Sequence, residues 1–430
     1  MKTDRFQNVA AVAASGLCVG CGVCTAACPV GAVTMRLEWD AYKPTVENVR
    51  CLADRGCRRC LHSCPGKRFD FASNAQHLFE NADIFSEDGL GGYHSLYAGY
   101  AADDFIRYHS ASGGMICALL IYLLEKKIIA GAVVATPDPQ EPIQARTVLA
   151  RTREDIIAAR SSRYCPVSQD GVYDTIMSTE GRYVLVGLPC HLQGFRLLAA
   201  QDPEFGSKIY AFFGLFCSST RTRQMPEYLC YKLGLDPNNI GSFSYRDEGY
   251  PGCLKVVSKT GRTLCKIPYH EYYRQLHAFF NYRRCLLCFD HTAEFSDISF
   301  GDIHIDPYLQ DDKGVNALIV RSARLDTVLR DAQQDGAIVL NPLQKETLLA
   351  AQRQGLYMKK QRIFAAFFLR RLFGRTVPDY GAQFSGHARM RDIFSVTAGL
   401  VQTWIGRRRC FWGLLGSLGK ILSRIKGLRQ

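Results

Sequence analysis

Eight cysteines near the N-terminus stand in a pattern that holds iron–sulfur cubanes. Cys18, Cys21, Cys24 and Cys28 lie in LCVGCGVCTAACPVGAV at C-x2-C-x2-C-x3-C-P spacing. Three closely spaced thiolates can wrap one cubane, and small glycines let backbone N–H groups approach its sulfurs. The fourth cysteine, ahead of Pro29, is thrown outward to ligate the other cluster. Cys51, Cys57, Cys60 and Cys64 in CLADRGCRRCLHSCPG repeat the pattern, with Pro65 after the last and a first spacing of five residues in place of two. The crossed assignment places Cys18, Cys21, Cys24 and Cys64 on cluster I, and Cys51, Cys57, Cys60 and Cys28 on cluster II. CxxC pairs also bind zinc, but zinc seldom needs eight thiolates with two C-P endings.

Four further cysteines could do chemistry: Cys190 in VGLPCHLQGF, Cys217 in GLFCSS, and Cys285 with Cys288 in RRCLLCFD. Cys190 falls where a strand gives way to a helix, whose N-terminus favours a thiolate. Cys217 falls at the end of the next predicted strand, and adjacent strand ends form the ligand-binding edge of an α/β sheet. A CxxC hairpin could close over them to complete a four-thiolate site, or the first two could be ordinary buried thiols; spacing leaves both open. Ser112, Gly113 and Gly114 open a predicted helix, where free N–H groups can hold a phosphate or a plain cap can sit. Arg160 and Arg163 beside Tyr164 offer phosphate contact and ring stacking, or a solvated loop.

The elements that position these residues divide the chain into parts. Residues 1–75 form a ferredoxin-type domain, followed by a connector to about residue 95 in which Gly89, Gly91 and Gly92 mark a turn. Residues 96–375 read as one α/β body, giving an α+β chain overall. Strands are predicted at SLYAGYA, IIAGAVVAT, RYVLVGLPC, KIYAFFGLFC and ALIVRS, with helices between them. Shorter strands at SFSYR, CLKVVSK and RTLCKIP suggest an antiparallel portion. Residues 376–430 form a basic amphipathic tail. No Asp or Glu follows Asp392, and seven Lys and Arg between Ser395 and Gln430 supply more than half of the net charge of +13. The body is therefore only mildly basic, against a nucleic-acid groove. Phe411, Leu414, Leu415, Leu418, Ile421, Leu422 and Ile425 recur at helical spacing, a face suited to an anionic membrane surface. The 18 cysteines in a 430-residue chain read as metal thiolates in a reducing cytoplasm, not as a secreted disulfide scaffold. The N-terminal MKTDRFQNVAAVAASG is too short in its apolar part to read as a signal peptide, and no run of eighteen apolar residues is present.

The ordered series SASGG, RSSRY, VGLPCHLQGFR, GLFCSS, YRDEGYPG and a C-x2-C-x-D segment ending at DISFGD resembles the beta-subunit family of coenzyme F420 hydrogenases and dehydrogenases, over most of residues 5–320. The resemblance implies FAD in the body, with Ser112, Gly113, Gly114, Arg163 and Tyr164 as flavin contacts. It also makes Cys190, Cys217, Cys285 and Cys288 a third cluster beside the two N-terminal ones. His191 stands where the family often has glutamine; a proton donor and a packing residue are both open to it. Asp290, Asp297 and Asp302 are candidates to orient substrate or flavin, His191 and Asp302 being the candidate catalytic residues. The reading is a cytoplasmic oxidoreductase, peripheral at the inner face of the membrane through its tail. It takes electrons from a soluble ferredoxin or reduced deazaflavin, through [4Fe–4S] clusters to FAD, and on to an organic substrate, with polysaccharide biosynthesis as one setting. The alternative is an electron-transfer subunit of a larger complex with no substrate of its own.

Overall fold

The computed structural model describes residues 6–78, 89–381 and 384–416. Short helices at Val9–Ala14, Val23–Ala26 and Arg59–His62 surround an antiparallel hairpin of β1 (Val33–Leu37) and β2 (Tyr42–Val46). This small unit has too few residues for a core of its own, and it borrows one. Phe6, Leu17, Leu61 and Phe69 share an apolar core with Phe295, Phe367, Tyr380 and Val396 from later in the chain.

The body is built on strands β3 (Ser95–Ala101), β4 (Gly131–Pro137), β5 (Ala145–Ala150), β6 (Tyr183–Gly187) and β7 (Ile209–Leu215). An antiparallel sheet follows, of β8 (Ile240–Asp247), β9 (Cys253–Ser258) and β10 (Thr263–Pro268), in the region where short strands were expected. The large sheet is completed by β11 (Ile298–Asp302), β12 (Asn316–Val320) and β13 (Ile338–Pro342). Its eight strands run in the order β13-β3-β12-β11-β7-β6-β4-β5. The four central strands are parallel and the flanking ones antiparallel. β12 is buried at every position, its ALIV run following a buried Asn316, as helices on both faces require. Helix Met115–Glu125, apolar nearly all round, packs in the core of one face with helix Ala323–Gln334.

β6 and β7 are adjacent and parallel, with Gly187 opposite Gly214 at their carboxyl ends. Helix Pro189–Gln201 starts two residues after β6, with Pro189 in the first turn where its missing N–H costs nothing. The return is tight: a Cβ on Gly187 would lie 3.0 Å from the Cβ of His191.

The segment after 375, expected as a separate tail, packs on the earlier parts. Helix Met390–Gly406 buries Val396 and Thr403, and the Thr403 hydroxyl donates to the carbonyl of Ala278 at 3.0 Å. Trp412 and Leu415 enter the core of the three-stranded sheet beside Tyr228 and Phe280. Arg407 pairs with Asp40 at 3.2 Å and Arg409 with Glu227 at 2.7 Å, so one of the tail's cations is tied to the cysteine-rich part and another to the body. Part of the expected apolar face is thus core, and Leu418, Ile421, Leu422 and Ile425 lie outside the described residues. An exposed apolar stripe runs instead along Met390, Phe394, Val401 and Trp404.

Candidate metal centres

The N-terminal loops are shaped by left-handed glycines. Gly20 and Gly22 adopt φ of 78° and 83°, which lets the Gly20 N–H donate to Cys18 Sγ at 3.4 Å. A Cβ on Gly22 would stand 2.4 Å from Ser168 Oγ, so the first motif is seated against the body. The Gln169 N–H donates to the carbonyl of Cys21 at 2.9 Å at the same seam. In the second motif the longer first spacing is taken up by one 3-10 turn at Ala53–Arg55.

The sulfurs fall into two groups. Cys18, Cys21 and Cys24 each have Cys64 as an electrostatic neighbour. Cys28, Cys51, Cys57 and Cys60 line one cavity of about 350 Å³, and the Ala32 N–H donates to Cys28 Sγ at 3.2 Å. The last cysteine of each motif thus sits with the first three of the other. Among the described residues, no three His, Cys, Asp or Glu side chains come close enough to hold a single metal ion. A cubane binds each cysteine on a different iron, so its sulfurs stand wider than the ligands of one zinc. Burial, and next the charge of Cys64, pushes the Cys18 thiol up to about 12, and burial pushes Cys60 up to about 11. Such thiols keep their protons unless a metal replaces them.

The body cysteines converge. Cys190, Cys217, Cys285 and Cys288 line a single cavity of about 600 Å³ including its mouth. Cys190 is brought by the start of helix Pro189–Gln201, and Cys217 by the end of β7. The CxxC pair comes from the 3-10 turn Arg283–Leu287, where the Cys288 N–H donates to the Cys285 carbonyl at 3.3 Å. The Thr220 N–H donates to Cys285 Sγ at 3.4 Å. The helix N-terminus does not yield a free thiolate: burial, and then Cys288, Cys217, Cys21 and Cys285, raise the Cys190 thiol well above its ordinary value. That Cys21 acts on Cys190 shows how near the body site lies to the first N-terminal group; a Cβ on Gly194 would be 3.6 Å from Cys21 Sγ.

Two cations that sequence reasoning missed line this cavity. Arg284 is buried and donates to the carbonyls of Leu17 and Leu287 at 2.8 Å and of Gly66 at 3.3 Å. Lys359 is 2% exposed and donates to the Cys285 carbonyl at 3.2 Å. Arg284 adjoins the CxxC pair in sequence and was open to notice; nothing in sequence ties Lys359 to cysteines over seventy residues earlier.

His191 lines the same cavity; its Nδ1 lies 3.2 Å from Gln169 Nε2, and burial lowers its pKa to about 4. Burial favours the neutral ring, which suits a hydrogen-bonding and packing role. Asp290 and Asp297 are engaged by partners within the protein. Asp290 accepts from Gln193 Nε2 at 3.0 Å and the Glu294 N–H at 3.1 Å, and Asp297 from the Phe212 N–H at 2.7 Å and Arg196 at 2.9 Å. Asp302 pairs with buried Arg246 at 2.8 Å.

Ser112 joins that pair: Arg246 donates to its hydroxyl at 3.3 Å, and the tyrosines Tyr164, Tyr269 and Tyr273 pack alongside. The Ser112–Gly114 turn has positive φ throughout, but it is not an open phosphate cradle. The Met115 N–H donates to Asn316 Oδ1 at 3.2 Å, and a Cβ on Gly113 would meet the Gly314 carbonyl at 2.7 Å. Arg163 fits an anionic group better, since its buried Nε and Nη1 have no hydrogen-bond partner.

Residues 17–70 match the family described as 4Fe-4S dicluster domain. Residues 96–172 match "Coenzyme F420 hydrogenase/dehydrogenase, beta subunit N-term" and residues 180–346 match the C terminus of the same subunit. The chain is 25% identical to the coenzyme F420-dependent sulfite reductase of Methanocaldococcus jannaschii, over 81% of this chain and 51% of that protein. It thus spans about half of that relative's length. It is 25% identical to the coenzyme F420 hydrogenase subunit beta of Methanothermobacter thermautotrophicus, over 60% of this chain and 87% of that one. The fold is similar to a chain of the F420-reducing [NiFe] hydrogenase complex of Methanosarcina barkeri, with a TM-score of 0.53 and 21% identity, covering 70% of this chain and all of that one.

Proposed function

Because the chain belongs to the beta-subunit family of coenzyme F420 hydrogenases and dehydrogenases, we propose that it is an iron–sulfur electron-transfer subunit of a larger redox complex. The observation that carries this reading is the series of three thiol groups, in which Cys60 neighbours Cys24 and Cys64, and Cys21 neighbours Cys190. In it, the N-terminal groups hold two [4Fe–4S] clusters and the body group holds a third. Single electrons from a soluble ferredoxin pass along that series to the body, whereas a reduced deazaflavin, a hydride donor, would deliver its electron pair at a flavin of the body.

FAD is the finer part of the proposal. Its support is Arg163, whose orphaned guanidinium atoms suit a phosphate, with the Tyr164 cluster nearby. A bound flavin supplies the exchange between single electrons and a pair. Peripheral contact with the inner face of a membrane is a further part, supported by the exposed stripe of helix Met390–Gly406 beside Arg408. Among the described residues no helix is long and apolar enough to cross a membrane.

The test is anaerobic purification of the full chain. About twelve irons per chain are expected, falling to about eight in Cys285→Ser with the N-terminal cluster signals intact. About eight irons in the unaltered chain would sink the body cluster. Turnover of a small organic substrate by the chain alone would overturn the electron-transfer reading in favour of a self-contained reductase.

A further inference from the structure

Lys359 is a buried ammonium with no carboxylate. Its neighbour Lys360 pairs with Glu294, but among the described residues no Asp or Glu forms an ion pair with Lys359. The sulfurs of Cys288, Cys285 and Cys217 are its electrostatic neighbours, and among the described residues its ammonium donates to the Cys285 carbonyl. A buried cation needs an anion to offset its lost hydration. The other cation on the cavity wall, Arg284, also has Cys288 and Cys190 as electrostatic neighbours, but its guanidinium is fixed at the seam by the carbonyls of Leu17, Leu287 and Gly66. Lys359 sits at the end of helix Lys345–Lys360, beyond the family match that stops at residue 346.

We propose that Lys359 is the countercharge of the body cluster, a positioning residue that raises the reduction potential of that cluster above what its four thiolates alone would set. The proposal rests on the body-cluster reading. A cubane bound by four thiolates is an anion and gains one more negative charge on reduction, so a nearby fixed cation favours the reduced form. The lysine therefore makes an electron on the body cluster more favourable than it would be on the same thiolates without it. The Lys43 ammonium near Cys18 differs, being already paired with Glu38 and Asp40.

The experiment compares the full chain with Lys359→Met and Lys359→Arg, by iron content and by redox titration followed with electron paramagnetic resonance. Lys359→Met should keep its irons and move the midpoint of the body-cluster signal to more negative potential, leaving the N-terminal signals in place. Lys359→Arg should restore the midpoint. Loss of one cubane from the Met variant with retention in the Arg variant also supports a charge role. An unmoved midpoint with all irons present, or equal iron loss in both variants, overturns it. A count of about eight irons in the unaltered chain would instead mark failure of the body-cluster reading itself.

Discussion

Glu294 illustrates two opposed influences on one side chain. Burial pushes its carboxyl up while Lys360 pulls it down; burial wins, and the pKa rises from 4.5 to about 7. A group whose pKa is raised by folding adds stability below its unfolded value and loses that stability as pH rises through its folded value. Glu294 should therefore contribute most below about pH 4.5 and little above about pH 7, a difference on the order of 3 kcal/mol. Glu294→Gln removes the titration. Its thermal midpoint, measured from pH 5 to pH 8, should fall less with rising pH than that of the unaltered chain. Parallel curves would show that Glu294 does not titrate in this window.

Helix Lys345–Lys360 makes one especially close approach to its neighbours. A Cβ on Gly355 would lie 2.2 Å from the His291 ring, and the same ring meets Gln352 at 2.9 Å. Gly355→Ala must push the helix outward, with an expected loss of about 1–3 kcal/mol. Because Lys359 is one turn further on and the His291 carbonyl receives the Cys217 N–H, the same change should lower occupancy of the body cluster. Thermal melting and iron content measure the two effects; an unchanged melting midpoint would contradict the packing argument. The C-terminal element calls for a different cut from the one composition suggests. Ending the chain at Asp392 would remove the buried Val396, Thr403, Trp412 and Leu415, so any loss of membrane binding would be confounded by a damaged core. A chain ending at Gly416 keeps those contacts. Full-length protein should float with anionic liposomes and the chain ending at Gly416 should float less; equal flotation would remove residues 417–430 from the interaction.

The cysteine-rich part and the rest of the molecule share an apolar core, and buried hydrogen bonds cross between them. Arg284 serves the carbonyls of Leu17 and Gly66 in the cysteine-rich part and of Leu287 in the body. Tyr282 adds a hydrogen bond from its hydroxyl to the Cys18 carbonyl at 2.8 Å. Arg284→Met leaves buried carbonyls without donors, each worth about 1–3 kcal/mol. The expected result is selective loosening of residues 6–70. Limited proteolysis should cut that part earlier than in the unaltered chain while the large sheet resists. A cleavage pattern identical to that of the unaltered chain would show that the shared apolar core suffices for docking.

The eight N-terminal cysteines were legible because their ligand pattern is local: short spacings, glycines and C-P endings dictate loop geometry within a few residues. Strands β4, β6 and β7 and the antiparallel insertion were legible for a similar reason, since β-branched runs and turn residues act over short distances, whereas β11, the fourth parallel strand, was not predicted. The convergence of Cys190, Cys217 and the CxxC pair could not be decided that way. It depends on β6 and β7 being adjacent and parallel and on a turn nearly seventy residues after Cys217 folding back over their ends. Composition set the C-terminal segment apart, but burial of Trp412 and the Arg407–Asp40 pair join it to the rest. Lys359 carried no sequence signal at all. Charge on a side chain is written in sequence, whereas the burial that removes its water and the sulfurs that replace it exist only once the sheet, the CxxC turn and the last long helix of the body have packed together.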